Sequence, residues 1–171
     1  MTTPNVITYL PSLKTGSALK YPVVMKAPFD LTEFTFSREV KTDDVLAIGD
    51  IVAVDVNDLL IVSTSVSTAT FIVLDTPENK SILEGHGLTV SKTAAFKDGD
   101  VIDVLLLIPS LILSMKVETK ADIILGQKLI ANDTAGELTG GVIAGAVVGM
   151  SLTKSDWTDE TTTDYMAVLV K

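Results

Sequence analysis

From Val40 onward the chain is written in short apolar runs separated by turn residues. The run DIVAVDV (Asp50 to Val56) alternates apart from the adjacent pair Ile51 and Val52, and LLIVSTSV (Leu59 to Val66) and ATFIVLD (Ala69 to Asp75) follow it. Gly49-Asp50 and Asn57-Asp58 supply turn chemistry between these runs. DTPENK (Asp75 to Lys80) reads as a polar loop, LTVSK (Leu88 to Lys92) as an alternating strand, and KDGD (Lys97 to Asp100) as a turn before a strand over Val101 to Ile108. The second half has the same style. Ala121 to Leu125 leads through Gly126 into QKLIAND, Ala135-Gly136 turns, GGVIAGAVVGM follows, and YMAVLVK (Tyr165 to Lys171) closes the chain as an alternating strand. A period of two over runs this short predicts an all-β fold of small barrel or sandwich units.

The segment before Val40 reads differently. Pro4, Pro11, Pro22 and Pro28 are four of the six prolines. Proline removes a ladder donor, so residues 1–38 are expected to form an extended N-terminal arm or edge strand rather than central strands. The apolar residues Ile7, Tyr9, Leu10, Val23, Val24 and Phe29 are its anchors, for a surface on the chain's own body or on a partner.

An internal repeat organises the remainder. VKTDDVLAIGDIVAVD from Val40 and VETKADIILGQKLIAND from Val117 align at an offset of 77, pairing Val40 with Val117, Thr42 with Thr119, Gly49 with Gly126 and Asp55 with Asn132. Each copy leads to an apolar strand after an acidic turn, DGDVIDVLLLI in the first and TTDYMAVLVK in the second. Two related β-units, residues 39–115 and 116–171, are the expectation, either separate or merged into one domain.

Composition narrows the function. Val, Thr and Ile make up 54 of the 171 residues, which suits a pleated surface. Aromatics are 5%, so the core is expected to be aliphatic. The net charge of −9 and pI near 4.4 argue against a nucleic-acid partner and against adsorption to anionic lipid. The longest apolar run, Val104 to Met115, is shorter than the roughly 20 residues of a membrane helix and is interrupted by Pro109, so two core strands meeting there are expected. No basic region followed by an apolar stretch opens the chain, and no signal peptide is expected. With no cysteine and one histidine, neither a thiolate site nor a zinc site is expected, and no cofactor is assigned.

Each chemical motif has a plainer structural reading. SALK (Ser17 to Lys20) and SLTK (Ser151 to Lys154) share the SxxK spacing of serine acyltransferases, but KTG (Lys14 to Gly16) precedes the first of them and Ser155-Asp156-Trp157 departs from SDN. His86, between Gly85 and Gly87, reads as a loop residue. Gly141, Gly145 and Gly149 repeat at GxxxG spacing in an apolar run too short to span a membrane, so close packing is the expected role. Asp43-Asp44, Asp55 to Asp58 and Asp98 to Asp100 could offer oxygen ligands to calcium, but counted from Asp55 the calcium-loop pattern fails, because Leu60 and Val66 stand where a Gly and an acid are required, and these acids read as turn formers. Asn79-Lys80-Ser81 and Asn132-Asp133-Thr134 match the glycosylation sequon.

Over Val117 to Lys171 the pattern resembles the small decoration, or cement, proteins of tailed-phage capsids. Gly126, Asn132, Gly136, the string Gly149-Met150-Ser151-Leu152 and the closing Val168-Leu169-Val170 stand where that family places its strand breaks, its glycine turn and its last strands. Ala135 before Gly136, and the long acidic loop Ser155 to Asp164, depart from the family pattern. The resemblance implies a virion structural protein on the capsid exterior, made in the host cytoplasm. Its implied partners are the major capsid protein and further copies of itself as a homotrimer, and it implies no enzymatic activity. The arm residues named above are then the capsid contacts. A different class remains open: a carbohydrate- or host-surface-binding β-module of a virion spike, for which Trp157, Tyr165, Tyr9 and Tyr21 are the available aromatics. A carboxylate enzyme such as a glycosidase would require two acids about 5 to 10 Å apart in a cleft.

Overall fold

The computed structural model describes residues 24–27, 30–41, 43–63, 70–74, 77–85, 95–118, 122–132, 136–141, 147–154 and 164–171. Thirteen strands, one α-helix and a 3-10 turn at Thr32–Phe34 occur among them. The first half contains β1 (Val24–Lys26), β2 (Thr35–Glu39), β3 (Leu46–Ala47), β4 (Ile51–Val54), β5 (Leu60–Val62), β6 (Phe71–Val73), α1 (Pro77–Gly85), β7 (Ala95–Phe96) and β8 (Val101–Leu106). The second contains β9 (Ile112–Val117), β10 (Lys128–Ala131), β11 (Leu138–Gly140), β12 (Val147–Ser151) and β13 (Asp164–Val170). The all-β class expected from the pattern is the class observed.

Five strands of each half repeat one topology. In the first, the sheet order is β2-β8-β6-β4-β5, and an isolated parallel bridge between Val40 and Leu60 joins its two ends. In the second, β9-β13-β12-β10-β11 is closed into a five-stranded barrel by the parallel pairing of Val117 with Leu138. The registers coincide as well. Thr35 faces Leu105 as Ile112 faces Leu169, Val52 faces Val62 as Leu129 faces Gly140, and Ile72 faces Leu105 as Met150 faces Leu169. The offset is 77 up to the turn after β4, 78 beyond it, and 64 from β8 to β13. The last change arises because the first half carries a longer segment at this point, holding α1 and β7.

Two buried clusters follow from this arrangement. One contains Val40, Leu46, Ile48, Val52, Leu60, Val73, Leu83, Phe96, Ile102 and Val104, from the inner face of the first sheet together with α1 and β7. The other is centred on the second barrel, with Leu113, Met115, Val117, Leu129, Leu138, Met166 and Val168. It also takes in Ile51, Ile72 and Leu105, which are neighbours across β4, β6 and β8 on the opposite face of the first sheet. Both faces of that sheet are therefore buried, and this explains the adjacent Ile51 and Val52. β13 is likewise buried on both sides, so Tyr165, Met166, Ala167 and Val168 are all inaccessible, where the sequence suggests alternation.

Several local expectations are changed by packing. The stretch expected as the polar loop DTPENK instead enters α1 at Pro77. Proline suits the first helical position, and Glu78 complements the helix N-terminus. Leu83 and Asn79 then face inward. Asn79 Nδ2 donates to the Leu74 carbonyl (2.6 Å) and the Asp103 carbonyl (3.2 Å), and its Oδ1 accepts from Asp103 N. KDGD reads equally as a hairpin or a turn signal, and it makes the turn, with Gly99 at φ +82 and Asp100 Oδ2 accepting from Lys97 N at 2.8 Å. The hairpin reading fails, because the strands on either side, β7 and β8, lie in different sheets. The two strands expected around Pro109 are β8 and β9, and Ser110 between them has φ +77.

The expected boundaries at 38/39 and 115/116 both fall within strands. β2 belongs to the first sheet through its pairing with β8, and β9 is the strand on which the second barrel closes. Of the arm anchors, Val24 lies in β1, whose backbone pairs antiparallel with Leu113 of β9. Ile7, Tyr9, Leu10, Val23 and Phe29 lie outside the described residues.

Candidate functional site

The most concentrated polar chemistry lies where the two units meet. Gly49, at φ +94, turns the chain into β4 and directs Asp50 inward. Asp50 is 4% exposed. Its Oδ2 accepts from Ala47 N at 2.7 Å, and its Oδ1 accepts from Lys116 Nζ at 3.1 Å. Lys116 stands on the outward face of β9, beside Tyr165 in the register, and its Nζ is also 3.5 Å from Glu137 Oε1. Gly136 presses on the same place. Its carbonyl accepts from Ile51 N at 2.9 Å, and at φ +64 a Cβ on it would sit 2.9 Å from the Asp50 Cβ.

One cation thus serves two carboxylates in a largely water-free joint. Burial pushes the Asp50 carboxyl above the ordinary carboxylate range, against the opposing pull of Lys116 and the Ala47 amide. Burial raises Glu137 too, with Lys116 opposing and Asp50 and Glu118 adding to the rise. Breaking such a pair leaves an uncompensated buried charge, and the trio links the start of β4 to β9 and to the residue before β11. The three groups are engaged with each other and with the backbone, so their arrangement amounts to a clamp.

The motif residues fall into structural roles where they are described. Ser151 of SLTK donates to the Ile124 carbonyl and accepts from Gln127 N at 3.1 Å, while Lys154 is exposed. Asp55 Oδ1 accepts from Asn57 N at 2.8 Å and Leu59 N at 3.1 Å, as a turn former does. These bonds hold its carboxyl below the usual range. Asp43 and Asp58 occupy left-handed backbone positions. Asn79, the first sequon asparagine, is fully buried and held by main-chain bonds. Gly149 permits close approach, because a Cβ there would stand 2.5 Å from the Leu169 carbonyl oxygen. Tyr165 is buried and offers no sugar-stacking face. Ser17, Lys20, His86, Gly145, Tyr9, Tyr21 and Trp157 lie outside the described residues. Among the described residues no group of three or more His, Cys, Asp or Glu is placed to hold a metal ion, and no helix is long and apolar enough to cross a membrane.

Sequence reasoning passed over Asp50, Lys116 and Glu137. The signal available was a lone lysine following the longest apolar run. Nothing local in the sequence couples it to an aspartate 66 positions earlier.

No family model matches the chain, and no curated protein matches it. Among solved structures it is similar to the head fibre gp8.5 N base of bacteriophage phi29. That likeness has 12% sequence identity and a TM-score of 0.47, and it covers 78% of this chain and 92% of that one.

Proposed function

We propose that the chain is a virion structural protein that decorates a phage capsid, working by binding and without a chemical step. The observation that carries this reading is that the segment resembling cement proteins, Val117 to Lys171, supplies four strands and the closing residue of one barrel, and that this barrel is fused to a second unit of matching register. A shared core and a buried ion pair make the two units one body suited to bearing load across a joint. The partners in this reading are a major capsid protein on the shell exterior and further copies of this chain as a trimer, after synthesis in the host cytoplasm.

The arm provides the mechanism. β1 already adds to β9 by main-chain pairing, a mode in which the backbone supplies affinity and alternate side chains supply specificity. Ile7, Tyr9 and Leu10 lie upstream and are assigned to the shell. Deleting residues 2–20 is expected to weaken capsid association while leaving the thermal unfolding of the body unchanged. Truncated protein that saturates capsids at the same concentration as the full chain would overturn the arm assignment. A monomer by light scattering both free and on the shell would overturn the trimer.

A further inference from the structure

The correspondence between the two units shows that the fold does not itself require the trio at the joint. Gln127, Glu39 and Leu59 stand at the positions equivalent to Asp50, Lys116 and Glu137. The backbone cap needs one side-chain oxygen, which Gln127 also supplies. What the joint adds is a primary amine, a carboxyl that can acylate it, and a second carboxyl beside the amine. Lys116 Nζ lies 3.1 Å from Asp50 Oδ1 and 3.5 Å from Glu137 Oε1, so amine and carboxyls are held in one site and need not meet by diffusion. The Lys116, Asp50 and Glu137 side chains are 12%, 5% and 15% exposed, which limits competition from water. The other oxygen of Asp50, Oδ2, accepts from Ala47 N at 2.7 Å, and that donor sits where negative charge gathers when a carboxyl is attacked.

We propose that Lys116 and Asp50 condense into an intramolecular amide (isopeptide) bond between Nζ and Cγ, with Glu137 carrying the proton that the step must move. It begins when Nζ gives a proton to Asp50 Oδ1, leaving a neutral amine beside a neutral acid. Burial raises the Asp50 carboxyl and so favours its neutral form. The Nζ lone pair attacks Cγ, and the carbonyl π pair moves onto Oδ2, where the Ala47 amide stabilises it. Glu137 takes one proton from the attacking nitrogen and delivers it to the Oδ1 hydroxyl. Burial also raises Glu137, which makes its carboxylate a stronger base. Oδ1 leaves as water while the pair on Oδ2 re-forms the carbonyl. One N–C bond forms, one C–O bond breaks, nothing is oxidised or reduced, and Glu137 ends as it began. The reaction occurs once in each chain and turns over no substrate. Its product ties the start of β4 to β9, 66 positions apart along the chain. Before condensation the joint is the ion pair described above, with the charge dependence of an ion pair; afterwards no Asp50 carboxyl is left to titrate. This inference does not depend on the capsid reading.

The test is the mass of the intact chain, measured under denaturing conditions after the folded protein has been incubated at neutral pH. A loss of one water from the mass calculated for the sequence is expected. Trypsin should then release residues 42–80 and 98–120 as one joined species, uncut after Lys116, with fragmentation placing the link between Asp50 and Lys116. Glu137→Gln should condense about a hundredfold more slowly. Lys116→Arg keeps a cation at the joint and should retain the full mass while circular dichroism shows it folded. The joined peptide decides the matter in the unsubstituted chain even where a variant fails to fold. A full sequence mass after prolonged incubation, with residues 98–116 released by trypsin, would overturn the proposal. So would a water loss that persists in Lys116→Arg, which would assign it to cyclisation elsewhere, as at Asp98-Gly99. An unchanged rate in Glu137→Gln would remove Glu137 from the step.

Discussion

Asp50 and Gln127 occupy the same position in the two units, and each uses a side-chain oxygen to cap the amide three residues before it: Asp50 Oδ2 on Ala47 N at 2.7 Å, Gln127 Oε1 on Ile124 N at 3.0 Å. The capping is shared, but the charge is not. Only Asp50 has a second oxygen to offer a cation, and only there does Lys116 arrive. The position equivalent to Lys116 in the first unit is Glu39, which is exposed. The matching halves are thus asymmetric at two positions, and the ion pair that the asymmetry allows links one half to the other.

Removing the cation should therefore be the most damaging of the surface-sparing changes. Lys116→Met is expected to cost about 3–5 kcal/mol, because Asp50 stays behind as a buried carboxylate without its cation. Adding Asp50→Asn to it should restore much of the loss. Urea denaturation of the two variants beside the unsubstituted chain measures both. Equal stability of Lys116→Met and the original would remove the clamp from the account.

The same joint sets a pH dependence with a definite sign. Asp50 and Glu137 are both raised from their ordinary values of 3.8 and 4.5, chiefly by burial. A carboxyl so raised holds its proton more tightly folded than unfolded. Its contribution is complete below the unfolded value and is lost as pH climbs through the folded one. A chain carrying Asp50→Asn and Glu137→Gln lacks that decline. Its stability relative to the original should improve as the pH rises above those ordinary values, read from paired urea midpoints. Asp30 and Asp55 are shifted the other way, but they are common to both chains and cancel. A constant gap across the range would contradict this.

Gly126 and Gly136 separate backbone strain from crowding. Both have positive φ, but a Cβ at Gly126 meets nothing within 4 Å, whereas one at Gly136 meets the Asp50 Cβ at 2.9 Å and the Ile51 nitrogen at 3.0 Å. Gly126→Ala should cost about 1–2 kcal/mol from the left-handed backbone alone. Gly136→Ala should cost clearly more and should also disturb the joint, visible as shifted amides around Asp50. Equal losses of melting temperature would count against the close approach.

Ser114 offers a gain. Its counterpart Ser37 donates to Asp103 across the register, but opposite Ser114 stands Ala167, and among the described residues its buried hydroxyl has no partner. An unsatisfied buried hydroxyl costs about 1–3 kcal/mol, so Ser114→Ala should raise the thermal midpoint. Ser37→Ala, at an exposed site, should leave it nearly unchanged. A drop on Ser114→Ala would show that the hydroxyl is satisfied in solution.

Much of this was present in the chain itself. The class, the strands around Pro109, the turns at Gly49, Gly99 and Gly126 and the 77-residue offset could all be read from one-dimensional pattern, because alternation and turn preference are local. The helix at Pro77 could not, since its polar sequence becomes amphipathic only when β8 presents the Asp103 backbone to Asn79. The two-sided burial of β13 and the Asp50–Lys116 pair were likewise decided by tertiary structure. Each depends on which unit lies against which. Pairings between residues 66 positions apart are set by the folding of whole sheets onto one another, and no local preference carries that information.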